Sequence, residues 1–212
     1  MLELFSDLQI PGVDEAGRGT MFGSLVAAAV IMPMNYADDD KLVHEIKDSK
    51  KVSPKKRKKL AEYIKNIAIA YGIGVATAQE VDIFNVLQAD YLAMHRALDE
   101  VYLKMKFKHI YVDGSAFKPY IAQDELVDGW IPFTCVVDGD AKYLNIAAAS
   151  ILAKTHHDEL IEKMLNDHPE WKEKYGFETN QGYGTKKHFE GLERYGITSE
   201  HRKSFNPIKK YL

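Results

Sequence analysis

Residues 8–33 read LQIPGVDEAGRGTMFGSLVAAAVIMP, and this stretch decides the fold. Two apolar runs, LQIPGVDEA and SLVAAAVIMP, flank a connection punctuated by Gly17, Gly19 and Gly23, which is the pattern of two strands and the turn between them. A third apolar run, Ile69 to Thr77, is interrupted by Gly72 and Gly74. Between the second and third runs, Ser53-Pro54 supplies an N-cap and a first-turn proline for the helix PKKRKKLAEYIKNIA. Downstream, FNVLQADYLAMHRALDEVYLKM sets Leu87, Tyr91, Met94, Leu98 and Val101 at spacings of three to four, one apolar helical face. Two further strands, HIYVDG and FTCVVDGD, each run into an acid and a glycine, and AKYLNIAAASILAKTHHDELIEKMLND reads as a helix whose small residues allow close packing on a sheet. Strands come first and then alternate with helices, so the class is α/β with a central mixed sheet flanked by helices. From His168 onward the composition turns to glycine, aromatic and charged residues, which reads as a small C-terminal helical lobe (168–212) packed on a main domain (1–167).

The chain has 212 residues, 46% of them hydrophobic, enough for one substantial core. With 28 Lys+Arg against 31 Asp+Glu the formal charge is -3, so a polyanionic partner must be met by a local basic patch. Cys135 is the single cysteine and lies in an apolar run, which excludes a disulfide framework or a cysteine zinc site and fits a reducing, cytoplasmic setting. Neither a signal peptide nor an apolar run of membrane-spanning length is expected. A monomer is the default expectation.

Four carboxylates fall where a sheet would bring them together: Asp14 and Glu15 on the first strand, Asp113 ending IYVDG, and Asp140 in VVDGDAKY. A cluster of oxygen ligands without thiol or imidazole suits Mg2+ or Mn2+, and two such ions about 4 Å apart align water for phosphodiester hydrolysis. Each acid also has an ordinary reading. Asp113 suits an Asp-Gly turn, Asp140 suits a helix N-cap, and Asp138 could take either part. Asp14 and Glu15 are adjacent on a strand, so they point to opposite faces and cannot both aim at one ion: either the strand bulges, or Glu15 uses a backbone carbonyl or serves a second ion.

Candidate substrate contacts follow. Gly17 and Gly19 let backbone approach a ligand, and Arg18 between them offers a charge for phosphate or else closes a hairpin. Lys50 and Lys51 sit in a loop before the lysine-rich helix and can reach phosphates. In NQGYGTKKHFEGL, Tyr183 stands between two glycines, either to stack on a sugar or base or to fill the lobe's own core, with Lys186, Lys187 and His188 nearby for phosphate and Thr185 placed to cap a helix. His201, Arg202 and Lys203 read as a phosphate contact or a salt-bridged turn.

The segments DEAGRG, DSKK, YVDG, GDAKYLNIAAASILAK, GYGT and HRKSF, in this order from about Pro11 to Pro207, closely resemble the type 2 ribonuclease H family, ribonuclease HII. The resemblance implies a ribonuclease H-like fold with a C-terminal helical lobe that closes over the substrate. It also implies cleavage of RNA/DNA hybrids and of duplex DNA containing single ribonucleotides, with Asp14, Glu15, Asp113 and Asp140 as the metal-binding catalytic acids. By the same resemblance, Gly17, Arg18 and Gly19 read the 2′-hydroxyl and Tyr183 senses the RNA-to-DNA junction. The Gly-Arg-Gly sequence favours type 2 over type 3. Ser24, where the family usually has proline, departs from the pattern.

Overall fold

The computed structural model describes residues 2–3, 9–36, 40–122 and 129–212. Its centre is a five-stranded sheet of order β3-β2-β1-β4-β5, built from β1 (Gly12–Ala16), β2 (Leu25–Ile31), β3 (Ala70–Ala76), β4 (Ile110–Asp113) and β5 (Phe133–Val136). β1, β2 and β3 pair antiparallel, while β1, β4 and β5 run parallel, so the sheet is mixed as the order of runs predicts. Every residue of β2 is buried, because helices cover both faces of the sheet.

On one face lies α3 (Val86–Lys104), packed through Ala93, Met94, Ala97 and Leu98 against Leu25, Ala27 and Ala29. The glycines that seem to break the third strand make this contact possible. A Cβ at Gly74 would stand 1.9 Å from the Ala93 carbonyl oxygen and one at Gly72 2.2 Å from that of Ala97, so the strand stays regular and the helix comes close. The opposite face carries α4 (Leu144–Asp167) and α1 (Pro54–Ile67), whose small and aliphatic residues meet Val26, Ala28 and Val30.

A short helix, α2 (Ala78–Phe84), precedes α3 and escapes a reading based on apolar spacing. Its signal is a capping box: the Thr77 side chain accepts from the Glu80 N–H while Glu80 accepts from the Thr77 N–H. Asn85 then caps α3, accepting from the N–H groups of Leu87 and Gln88. After α4 come four short helices, α5 (Glu170–Tyr175), α6 (Phe177–Asn180), α7 (Lys186–Tyr195) and α8 (Asn206–Lys209). They share a third apolar cluster with Phe22, Ile161 and Leu165, in which the Phe22 and Phe177 rings stack at 4.0 Å. Among the described residues, no helix is long and apolar enough to cross a membrane.

Candidate active site

The carboxylates meet at the ends of β1 and β4. β1 pairs residue for residue with β2, Asp14 opposite Ala28 and Glu15 opposite Ala27, so of the alternatives for Glu15 a bulge is ruled out. Asp14 faces the α4 side with Ser150, and Glu15 faces the α3 side with Arg18. Asp113 ends β4, the parallel neighbour of β1, where Val13 pairs with Val112. From this strand end its charge bears on both Asp14 and Glu15. The two faces of the sheet therefore converge on a third carboxylate at the end of β4.

Two of the four are held by backbone N–H groups. Asp14, 5% exposed, accepts the Glu15 N–H at 2.7 Å, and Asp113 Oδ1 accepts the Gly139 N–H at 2.7 Å. The second bond ties the end of β4 to the 3-10 turn Gly139–Ala141, which carries Asp140. Asp140 thus sits ahead of α4 on its own turn, and Tyr143 takes the N-terminal cap position, which sets aside the ordinary reading of Asp140 as that cap. Asp138 adopts a left-handed conformation, φ 54°, and is exposed.

Burial pushes the pKa of Asp14 well above the ordinary carboxylate range, and the charges of Glu15 and Asp113 push it further. Glu15 is raised by burial and by Asp113, against the pull of Arg18. Asp140 is raised by burial and by Asp48 and Asp113, against Lys50. A second cation among these acids, besides Arg18 at Glu15, is Lys50. Burial pulls its pKa down, and Asp14, Asp140, Asp48 and Asp113 together more than reverse that. A set of oxygen donors that gathers an ammonium is suited to a hard divalent cation. Among the described residues, no three acidic, histidine or cysteine side chains stand within reach of one ion as they are placed. Lys51 is largely exposed and pairs with Asp48 at 3.3 Å.

The Gly17–Gly19 turn follows β1 directly. Gly17 has φ +83°, and a Cβ there would lie 2.4 Å from Cδ2 of the buried His157 ring, so the position accepts little but glycine. Arg18 is half exposed, with Nη1 at 3.9 Å from Glu15 and 3.5 Å from Asp90. The Tyr183 ring lies beside the turn, its Cε1 3.7 Å from the Cβ position at Gly19, and Tyr183 is 45% exposed. Its place is the surface and not the lobe's core. Thr185 caps α7 as expected, accepting from the His188 N–H, and Lys186 is exposed with Glu190 at 3.9 Å.

Two expectations for substrate contacts are corrected. Arg202 is fully buried, with Nε donating to the Gly23 carbonyl at 2.9 Å and Nη1 to the Arg18 carbonyl at 3.2 Å, so it holds the turn from beneath and does not meet phosphate at the surface. Burial pushes its pKa down to about 10. His188 and His201 are also fully buried. Their motifs read as polar surface because charged neighbours dominate the composition, while the aromatic core of the lobe encloses them.

Asp90 is the site residue that motif reading passes over. It is 1% exposed, and its Oδ1 has no hydrogen-bond partner. It lines a cavity of about 90 Å³ together with Glu15, Arg18, Asp113 and Ser115. The sequence carries a signal for it: an acid on the apolar α3 face, between Leu87 and Met94. Ser24 is buried, and the sheet that follows it is regular.

The family model for ribonuclease HII matches residues 11–208. A ribonuclease HII of Parabacteroides distasonis is 43% identical over 201 residues, 95% of this chain and 92% of that protein. The crystal structure of ribonuclease H2 from Pyrococcus horikoshii superposes with TM-score 0.72 at 25% identity, over 96% of both chains. The Mn2+ complex of Bst-RNase HIII superposes with TM-score 0.71 at 18% identity, over 96% of this chain and 69% of that one, a likeness of fold. A match along nearly the whole length, on the segments that carry the convergent carboxylates and the turn beside them, places this chain in the ribonuclease HII family.

Proposed function

We infer that the chain is a divalent-metal-dependent endoribonuclease. It cleaves the RNA strand of RNA/DNA hybrids and the 5′ side of single ribonucleotides in duplex DNA, leaving 3′-hydroxyl and 5′-phosphate ends. The observation that carries this reading is that the charge of Asp113 bears on Asp14, Glu15 and Asp140 alike, beside a glycine-flanked arginine and an exposed tyrosine.

In this reading Asp14, Glu15, Asp113 and Asp140 hold Mg2+ or Mn2+, two ions during turnover, with Glu15 serving from its own face of the sheet. Bound there, the ions supply Lewis acidity for the attacking water and charge for the departing 3′ oxygen. The chain's own residues choose and orient the substrate. Arg18 offers its guanidinium, and the Gly17–Gly19 backbone lets a ribose approach, so that a 2′-hydroxyl distinguishes RNA from DNA at one position. Tyr183 stacks beside that turn. Lys50, Lys51 and Lys186 meet phosphates, the local basic surface that a chain of net charge -3 needs. Residues 168–212 act as a lobe over the duplex. We take the working form to be a cytoplasmic monomer.

The test is a duplex DNA carrying one ribonucleotide, incubated with Mg2+ or Mn2+ and with chelator. A single cut on the 5′ side of the ribonucleotide, absent with chelator, is the expected result. Binding without metal-dependent scission would sink the reading.

A further inference from the structure

His188 and His201, displaced from the phosphate role by their burial, form a hydrogen-bonded chain whose direction is fixed at both ends. The Thr198 N–H donates to His201 Nδ1 at 2.8 Å, so that nitrogen is an acceptor and the ring proton of neutral His201 is on Nε2. His201 Nε2 stands 3.0 Å from His188 Nε2, which must then accept. The proton of His188 is left on Nδ1, and Nδ1 donates to the Tyr183 carbonyl at 3.0 Å. Each link dictates the next, from Thr198 to the backbone of Tyr183.

The surroundings favour this neutral arrangement. The rings of Phe22 and Tyr175 each lie 5.4 Å from that of His201, and Phe177 lies 4.8 Å from that of His188. Burial lowers the pKa of both imidazoles, and with His188 beside it His201 is pushed down to about 3.

The next residue along reaches the other side of the same surface. Arg202, through Nη1, holds the carbonyl of Arg18 at 3.2 Å, and its own N–H donates to the Met21 carbonyl at 2.9 Å. Consecutive residues thus reach the two backbone segments, Arg202 that of Arg18 directly and His201 that of Tyr183 through His188. Within its own segment the Tyr183 N–H donates to the Asn180 carbonyl and its carbonyl accepts from the Thr185 N–H, both at 2.9 Å, and the His188 ring adds to that carbonyl the bond that ties it to the helix beyond.

We propose that His188, backed by His201, is a positioning residue that holds the Tyr183 backbone at its working distance from the Gly17–Gly19 turn, and that His201-Arg202 thereby acts as a two-armed clamp setting ribose selectivity. This rests on the reading that Tyr183 and the turn meet the ribose.

Two substitutions separate positioning from packing, because both replace the ring by a primary amide and differ by one methylene, which moves the amide. His188→Asn puts an N–H near the Nδ1 position and keeps the bond to Tyr183; His188→Gln puts its amide near Nε2, keeps a partner for His201 and loses Tyr183. The readout is kcat/KM on a single-ribonucleotide duplex divided by that on an RNA/DNA hybrid, with Tm for each variant. The Gln variant is expected to lose about fivefold or more in this ratio, the effect of one hydrogen bond, while the Asn variant stays within about twofold of the wild type. Equal ratios for Asn and Gln would overturn the proposal. A Tyr183→Ala arm isolates the premise: an unchanged ratio there removes the reading of Tyr183 and the proposal with it, whereas a lowered ratio with His188→Gln unaffected removes the clamp alone. Independently of any variant, 15N–1H NMR of the wild-type protein should find His188 protonated on Nδ1 and His201 on Nε2, and any other pair of tautomers overturns the relay.

Discussion

Arg18 and Asp90 meet at 3.5 Å, Nη1 to Oδ2, across the gap between the turn after β1 and the buried face of α3. Burial, and then the neighbouring Glu15, raises the Asp90 pKa to about 8 against the pull of Arg18. Below that pH the guanidinium meets a neutral carboxyl, and above it an ion pair. Arg18 is half exposed, so the contact is worth about 0–1 kcal/mol. Asp90→Ala is expected to raise KM for a single-ribonucleotide duplex by about twofold to fivefold, more above pH 8 than below. A KM insensitive to the change at either pH would show that Arg18 needs no such support.

The same carboxyl sets a pH dependence of stability. Its folded pKa of about 8 lies above the ordinary value of 3.8, so the folded state keeps a proton that the unfolded chain releases. The contribution is full below the unfolded value and is lost as pH rises through about 8. In chelated protein, Asp90→Asn should therefore flatten the fall in Tm between about pH 5 and pH 8. A slope identical to the wild type would place the titrating group elsewhere.

Asp113→Asn keeps an oxygen to accept the Gly139 N–H and removes the charge. Turnover should drop by at least about 10²–10³-fold, the scale of losing one preorganised electrostatic contact. Hybrid binding, followed by fluorescence anisotropy, should hold. A collapse of Tm together with activity would make the residue a structural one.

Divalent ions should stabilise the protein in a pH-dependent way. Asp14, Glu15 and Asp140 all have raised pKa values, so ligation must release protons and weakens as pH falls. At about a hundredfold excess over Kd, Mn2+ is expected to raise Tm by roughly 5–10 °C at pH 8. The rise should be smaller at about pH 6, and Asp14→Asn should abolish most of it. A shift of equal size at both pH values would argue against carboxylate ligation.

Gly17→Ala combines a left-handed backbone with a clash. The new Cβ would stand 2.4 Å from the His157 ring, which is 1% exposed and has nowhere to turn. A cost of about 1–3 kcal/mol follows, read as a lowered denaturation midpoint. His157→Ala in the same chain should restore part of it, and strictly additive effects would mean that the ring is not the obstacle.

Periodic features were legible along the chain. Residue-by-residue alternation put Asp14 and Glu15 on opposite faces, and the structure keeps them there, with β1 paired to β2 without a bulge. Helical spacing marked the apolar face of α3, and Ser53-Pro54 and Thr185 marked helix starts, because those signals depend only on neighbours along the chain. The motifs also placed Asp113 at a strand end and Asp140 just ahead of a helix.

Tertiary structure alone decided what lies across space. Strand order set β4 beside β1, and so Asp113 became the charge shared by two acids that face apart. The approach of α3 brought Asp90 to Arg18 from 72 residues away in the chain. Packing of the last helices on Phe22 turned His188, His201 and Arg202 from apparent surface charge into buried supports. Burial depends on which surfaces meet, and local composition carries no record of that.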